Sequence, residues 1–230
     1  MTTGGAQMKL YLDTGNIDEV ADAASYGILD GVTTNPSLIA KEGKDFKETV
    51  RKIANILGEY KKDFTVSAEV TEQEHQKMVK QGLELATIHK NVIIKLPSLP
   101  EGVKAISILS KKNIKINATL CFSTAQALLV AKAGAYIVSP FIGRLDDINH
   151  IGYDLIEEIR TVYDNYNLKT MLLAASIRSP RQVTEVALRG ADICTVPYDI
   201  FKKLFNHPLT DIGQEKFLAD WNKYNKGKSK

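Results

Sequence analysis

A repeated alternation constrains this chain more than any other feature. From Met8 onward, short apolar runs suited to strands take turns with longer amphipathic runs suited to helices. KLYLD ends in Asp13, and Thr14 or Asn16 can cap a helix whose first turn holds Asp18 and Glu19. GILDGVTTNPSLI supplies a second strand ending near Thr33 and Thr34, then the turn dipeptide Asn35-Pro36, then a helix from Asp45 to Leu57. FTVSAEV is the third strand, ending near Glu69, and Thr71 with Glu74 forms a capping box for a helix to about His89. KNVIIKLP is the fourth, followed by a helix from about Glu101 to Lys111. IKINATL is the fifth, with a helix from about Thr124 to Ala133, and AYIVSPF the sixth, with a helix from about Ile148 to Tyr163. KTMLLAAS leads to PRQVTEVALR, whose Pro180 opens a helix, and ADICTVP is the eighth strand. Helical segments near Tyr198 to Leu204 and Gly213 to Tyr224 finish the chain.

Parallel strands need crossover helices, and eight strand-helix units close a sheet on itself. The expected fold is therefore α/β, a (β/α)8 TIM barrel in a single domain with C-terminal helices. A doubly wound sheet is the rival, disfavoured because no G-x-G-x-x-G turn follows the first strand. Residues 1–7 read as a tag or disordered N-terminus, 8–224 as the barrel and 225–230 as a frayed tail.

At 230 residues the chain has the ordinary length of one α/β barrel. No apolar run approaches the roughly 20 residues of a membrane helix, so a membrane span is excluded. Charges nearly cancel at +3 with lysines spread along the chain, which gives no footprint for nucleic acid. Cys121 and Cys194 lie far apart and outside any C-x-x-C pattern, and His75, His89, His150 and His207 lack metal-ligand spacing. Neither a disulfide framework nor a metal site is indicated, and the expected compartment is the reducing cytoplasm.

One residue breaks the apolar run Val92 to Leu96. Lys95 carries a strongly hydrated ammonium into a strand that otherwise reads as buried on both faces. It either reaches solvent from a strand end, or is a desolvated lysine whose neutral amine can attack a carbonyl and form a Schiff base. In a barrel, catalytic groups gather at the carboxyl ends of the strands. Asp13, Asn35, Glu69, Lys95, Asn117, Thr119, Ser139, Arg144, Ser176 and Arg178 all fall at or just beyond those ends. Singly each has an ordinary explanation: Asp13 or Ser139 as a helix cap, Asn117 as a turn residue, Arg144 as an ion pair with Asp146 or Asp147. Together they would converge on one pocket. Two arginine forks and the Ser176 hydroxyl suit a phosphate, so the residues alone point to a Schiff-base enzyme acting on a sugar phosphate.

The segments LYLDTGNIDE, GVTTNPSLI, VIIKLP, INATLCFS, VSPFIGRLDD and AASIRSPRQV resemble, in order, the motifs of the transaldolase family in its short-chain branch. The resemblance runs from Met8 to about Trp221. It implies a barrel that transfers a dihydroxyacetone unit between sugar phosphates without metal or organic cofactor. It further implies that Lys95 forms the Schiff base, that Asp13 is the acid-base group, and that Glu69 and Thr119 hold the catalytic water. Asn35, Asn117 and Ser139 would position the dihydroxyacetone unit, and Arg144, Ser176 and Arg178 the phosphate. The related fructose-6-phosphate aldolase group, which releases free dihydroxyacetone, typically has glutamine at the Glu69 position and tyrosine at the Phe141 position. This chain has the transaldolase pair. One departure is PSLPEG after Lys95, where Leu99-Pro100 stands in place of the family's usual threonine. The short-chain relatives are commonly pentamer-based rings, so a pentamer or decamer is expected. A non-catalytic sugar-phosphate-binding barrel is the remaining alternative, because fold alone does not fix function.

Overall fold

The computed structural model describes residues 7–228. Eight strands form its centre: β1 (Lys9–Asp13), β2 (Gly31–Thr33), β3 (Thr65–Glu69), β4 (Val92–Pro97), β5 (Ile116–Cys121), β6 (Ile137–Pro140), β7 (Met171–Ala174) and β8 (Ile193–Val196). Each pairs in parallel with its sequence neighbour, and β8 pairs with β1 to close the barrel. The crossovers carry α1 (Ile17–Ser25), α2 (Pro36–Lys41), α3 (Phe46–Tyr60), α4 (His75–Ala86), α5 (Pro100–Ser110), α6 (Thr124–Lys132), α7 (Ile142–Asp146), α8 (Asp154–Asn165) and α9 (Pro180–Leu188). After β8 come α10 (Tyr198–Lys203) and α11 (Pro208–Lys228). The alternation read from the sequence is thus a (β/α)8 barrel.

Period-two geometry decides which side chains enter the barrel. The lower layer is apolar, built from Tyr11, Ile93, Ile137, Leu173 and Ile193. Two residues further along the same strands stand Asp13, Lys95, Ser139, Ala175 and Thr195, which line the cavity at the carboxyl ends. The intervening residues, such as Leu12, Ile94, Val138 and Cys194, face the helices in the outer core. Gly31 makes room at the floor, because a Cβ there would sit 2.7 Å from the Tyr11 ring. The Tyr11 hydroxyl in turn reaches Thr65 Oγ1 at 2.7 Å.

Several local elements differ from the sequence expectation. Asn35-Pro36 starts a helix instead of a turn: Asn35 Oδ1 accepts from the Leu38 amide at 3.0 Å, and Pro36 occupies the first helical position. Thr71 and Glu74 form no capping box. Gln81 Oε1 accepts from the Thr71 and Glu72 amides, while the His75 amide donates to Glu101, a residue of the next unit. The helix expected over Ile148 to Tyr163 begins only at Asp154, as α8, because residues 147–153 turn, and the short α7 (Ile142–Asp146) before that turn was not expected. There Asp146 accepts from the Gly152 amide, and a Cβ at Gly152 would lie 2.1 Å from the Ile142 carbonyl. Finally, α11 carries helix through residues 225–228, where a frayed tail was expected, and residues 1–6 of the expected tag lie outside the described part. No described helix is long and apolar enough to cross a membrane.

Candidate active site

The cavity at the carboxyl ends of the strands has a volume of about 180 Å³. Asp13, Thr33, Asn35, Lys95, Ser139, Phe141, Arg144, Ser176 and Thr195 contribute to its walls. At its centre Lys95 is buried, its side chain only 6% exposed, and its amine lies 3.0 Å from Glu69. A buried lysine needs such a partner, and register supplies it: Glu69 and Lys95 are paired neighbours on β3 and β4. Glu69 itself does not line the central cavity. It faces a separate groove between α2 and α4, bordered by Pro36, Ala40 and Gln81.

Asp13 keeps a partly exposed edge on the cavity but is densely surrounded. Burial pushes its carboxyl above the ordinary aspartate range, and the nearby Lys95 charge and a hydrogen bond from Thr33 draw it part of the way back. That bond runs from Thr33 Oγ1 to Asp13 Oδ1 at 2.7 Å. On the other side of the barrel Ser139 Oγ donates to Asn117 Oδ1 at 2.6 Å, and Asn117 Nδ2 donates to Ser67 Oγ at 3.1 Å. Both ends of the buried Asn117 amide are thereby fixed.

A family model described as Transaldolase/Fructose-6-phosphate aldolase matches residues 10–228. The chain belongs to that family. A protein of Roseiflexus sp. strain RS-1, named a probable transaldolase, is 52% identical over 222 residues, covering 96% of this chain and 100% of that one. Another protein of the same name, from Caldicellulosiruptor saccharolyticus, is 55% identical over 217 residues, covering 94% of this chain and 98% of that one. A solved thiamine phosphate pyrophosphorylase from Pyrococcus furiosus superposes with a TM-score of 0.59 at 19% identity, over 84% of this chain and 86% of that one. At that identity it speaks for the barrel alone. With the family, the chain is an enzyme of the transaldolase type.

Within this transaldolase-family barrel, most of the residues singled out from the sequence meet. Asp13, Asn35, Lys95, Ser139, Phe141, Arg144 and Ser176 share one cavity, Glu69 touches Lys95, and Asn117 braces Ser139. Thr119 Oγ1 is buried with no hydrogen-bond partner among the described residues, within the register irregularity between β5 and β6 that spans Ala118 to Cys121. Ser176 adopts a left-handed backbone, φ 61°, a conformation uncommon outside glycine, and this places it on the cavity wall after β7.

Arg178 stands apart. It does not line the cavity but grips Asp147 with both guanidinium nitrogens, the Nη2 contact measuring 2.7 Å. Arg144, by contrast, forms no ion pair among the described residues, so its ordinary explanation as an ion pair is not met: Asp147 pairs with Arg178, and Asp146 accepts from Gln182 and the Gly152 amide. Thr33 and Thr195 are cavity residues that the sequence reading did not single out. Thr33 was legible only as part of a strand end, and Thr195 as a β-branched residue in an apolar strand.

Proposed function

We propose that the enzyme moves a dihydroxyacetone unit from a ketose phosphate, fructose 6-phosphate or sedoheptulose 7-phosphate, to an aldose phosphate, erythrose 4-phosphate or glyceraldehyde 3-phosphate. The observation that carries this reading is the buried Lys95 amine in one small cavity with a carboxyl, Asp13, held above its ordinary range. A general base that works reversibly needs such tuning.

In this reading the neutral Lys95 amine adds to the C2 carbonyl and water leaves, giving a protonated imine. Asp13 takes the proton of the C4 hydroxyl, the C3–C4 bond breaks, and its electron pair flows into the imine to give an enamine. The aldose phosphate departs. An acceptor aldehyde then takes the enamine carbon's electron pair, Asp13 returns the proton, and water releases the lysine. Glu69 and the orphaned Thr119 hydroxyl hold that water. Asn35, Asn117 and Ser139 hold the three-carbon unit, while Arg144, Ser176 and Arg178 take the phosphate. No metal ion or organic cofactor is invoked. The solvent-facing apolar residues of α11 further support assembly with copies of the same chain, as a pentamer or decamer, and two buried free cysteines suit a cytoplasmic setting.

Fructose 6-phosphate with borohydride should leave a reduced three-carbon adduct on Lys95, located by peptide mass spectrometry. An adduct elsewhere, or none while turnover proceeds, would overturn the mechanism. Phe141 offers no hydroxyl to assist the hydrolytic water, and transfer should therefore outrun cleavage. Phe141→Tyr is predicted to raise release of free dihydroxyacetone relative to transfer, measured with and without erythrose 4-phosphate. An unchanged ratio would count against this role.

A further inference from the structure

Resting on the transaldolase reading, we propose that Thr33 and Thr195 are positioning residues for Asp13, forming a hydroxyl chain whose direction reverses as the carboxyl loses and gains its proton. Thr33 Oγ1 lies 2.7 Å from Asp13 Oδ1 and 2.7 Å from Thr195 Oγ1. Both threonines are 2% exposed, so bulk water does not compete for these contacts. A hydroxyl has one hydrogen to give. With Asp13 ionised, Thr33 gives its hydrogen to the carboxylate, which obliges Thr195 to be the donor to Thr33.

When Asp13 takes the proton of the substrate hydroxyl on Oδ1, the carboxyl becomes the donor. Thr33 then accepts from it and turns its own hydrogen toward Thr195. Only hydroxyl rotors move. The substrate proton stays on Asp13, and no heavy atom shifts, because β-branched side chains are stiff at χ1. A side chain able only to donate, or only to accept, would leave one of the two states with a buried unpaired group. The chain thus serves a group that must act as base in one half-reaction and acid in the other.

The placement follows from the barrel. Asp13 and Thr33 are paired neighbours on β1 and β2, and Thr195 pairs with Tyr11, one inward step below Asp13 on the β8 side. The charged groups facing Asp13 are Lys95 on β4, which acts on it electrostatically, and Arg144 on α7, which lines the same cavity. Glu69 on β3 engages the Lys95 amine. None of these is altered by substituting either threonine.

The test compares Thr33→Val and Thr195→Val, which keep shape, with Thr33→Ser, which keeps the hydroxyl. The pH profile of transfer is one readout. The other is carboxyl 13C NMR titration of Asp13, assigned with Asp13→Asn, which needs no catalytic activity. Thr33→Val should raise the Asp13 midpoint, move the acid limb of kcat to higher pH and lower kcat about tenfold with KM little changed. Thr195→Val should act in the same direction but less, and Thr33→Ser should recover most of the loss. An Asp13 titration in Thr33→Val that matches wild type would overturn the proposal, as would a serine variant no better than the valine. A wild-type protein without transfer activity would instead refute the functional reading, while the NMR titration still decides the hydroxyl chain.

Discussion

A carboxyl that is harder to ionise folded than unfolded subtracts from stability wherever it is ionised. For Asp13 that cost is absent below the ordinary aspartate value of 3.8 and grows as pH rises through its elevated folded value. Asp13→Asn should therefore abolish transfer yet raise Tm near pH 7.5, with the gain shrinking as pH falls toward about 3.5. Calorimetry across pH checks the sign; a gain that persists undiminished at low pH would show that ionisation is not its source. The two arginines also separate at this scale. Arg144→Ala should lower kcat/KM for phosphorylated substrates by about tenfold or more and spare glyceraldehyde. Because Arg178 takes phosphate in this reading, adding Asp147→Ala to Arg178→Ala should recover no activity. A partial recovery would mean that the arginine serves only to neutralise that carboxylate. Strand-end position made Asp13, Lys95, Ser139 and Ser176 legible in the sequence. It could not reveal that Asp147 occupies Arg178, because that pairing joins residues 31 apart.

Elements were legible where periodicity and caps agreed, as at Asn16 before α1 and Pro180 opening α9. Periodicity failed at the start of α8, expected at Ile148 but found at Asp154, since the apolar pattern begins within a turn where Gly152 closely approaches Ile142. It failed also at Thr71 and Glu74, where side chains from α4 itself and from α5 satisfy the amides a capping box would have taken. Close approach matters again at Gly143 on α7, where a Cβ would sit 2.1 Å from the Ser176 carbonyl. Gly143→Ala must push α7 away from the loop after β7. It should cost about 1 to 3 kcal/mol of stability and raise KM for phosphorylated substrates more than it lowers kcat. Thermal unfolding and substrate titration together check this, and an unaltered KM would separate the contact from the phosphate end.

At the scale of the whole molecule, α11 is the element least explained by one chain. Leu209, Phe217, Leu218 and Trp221 are each more than half exposed, an apolar row that a 21-residue helix does not ordinarily present to water. Multi-angle light scattering should find a pentamer or decamer for the full chain and a smaller species after removal of residues 208–230. A full-length monomer would dispose of the assembly proposal. The barrel's closure carries a different consequence. Until β8 is made, β1 has only β2 beside it, and β8 ends at Val196. A nascent chain still lacking those last segments already contains the lysine but not the seam that steadies Asp13. Chains cut short before β8 should therefore carry the lysine without a closed barrel around it, so that reactivity arrives with the last strand.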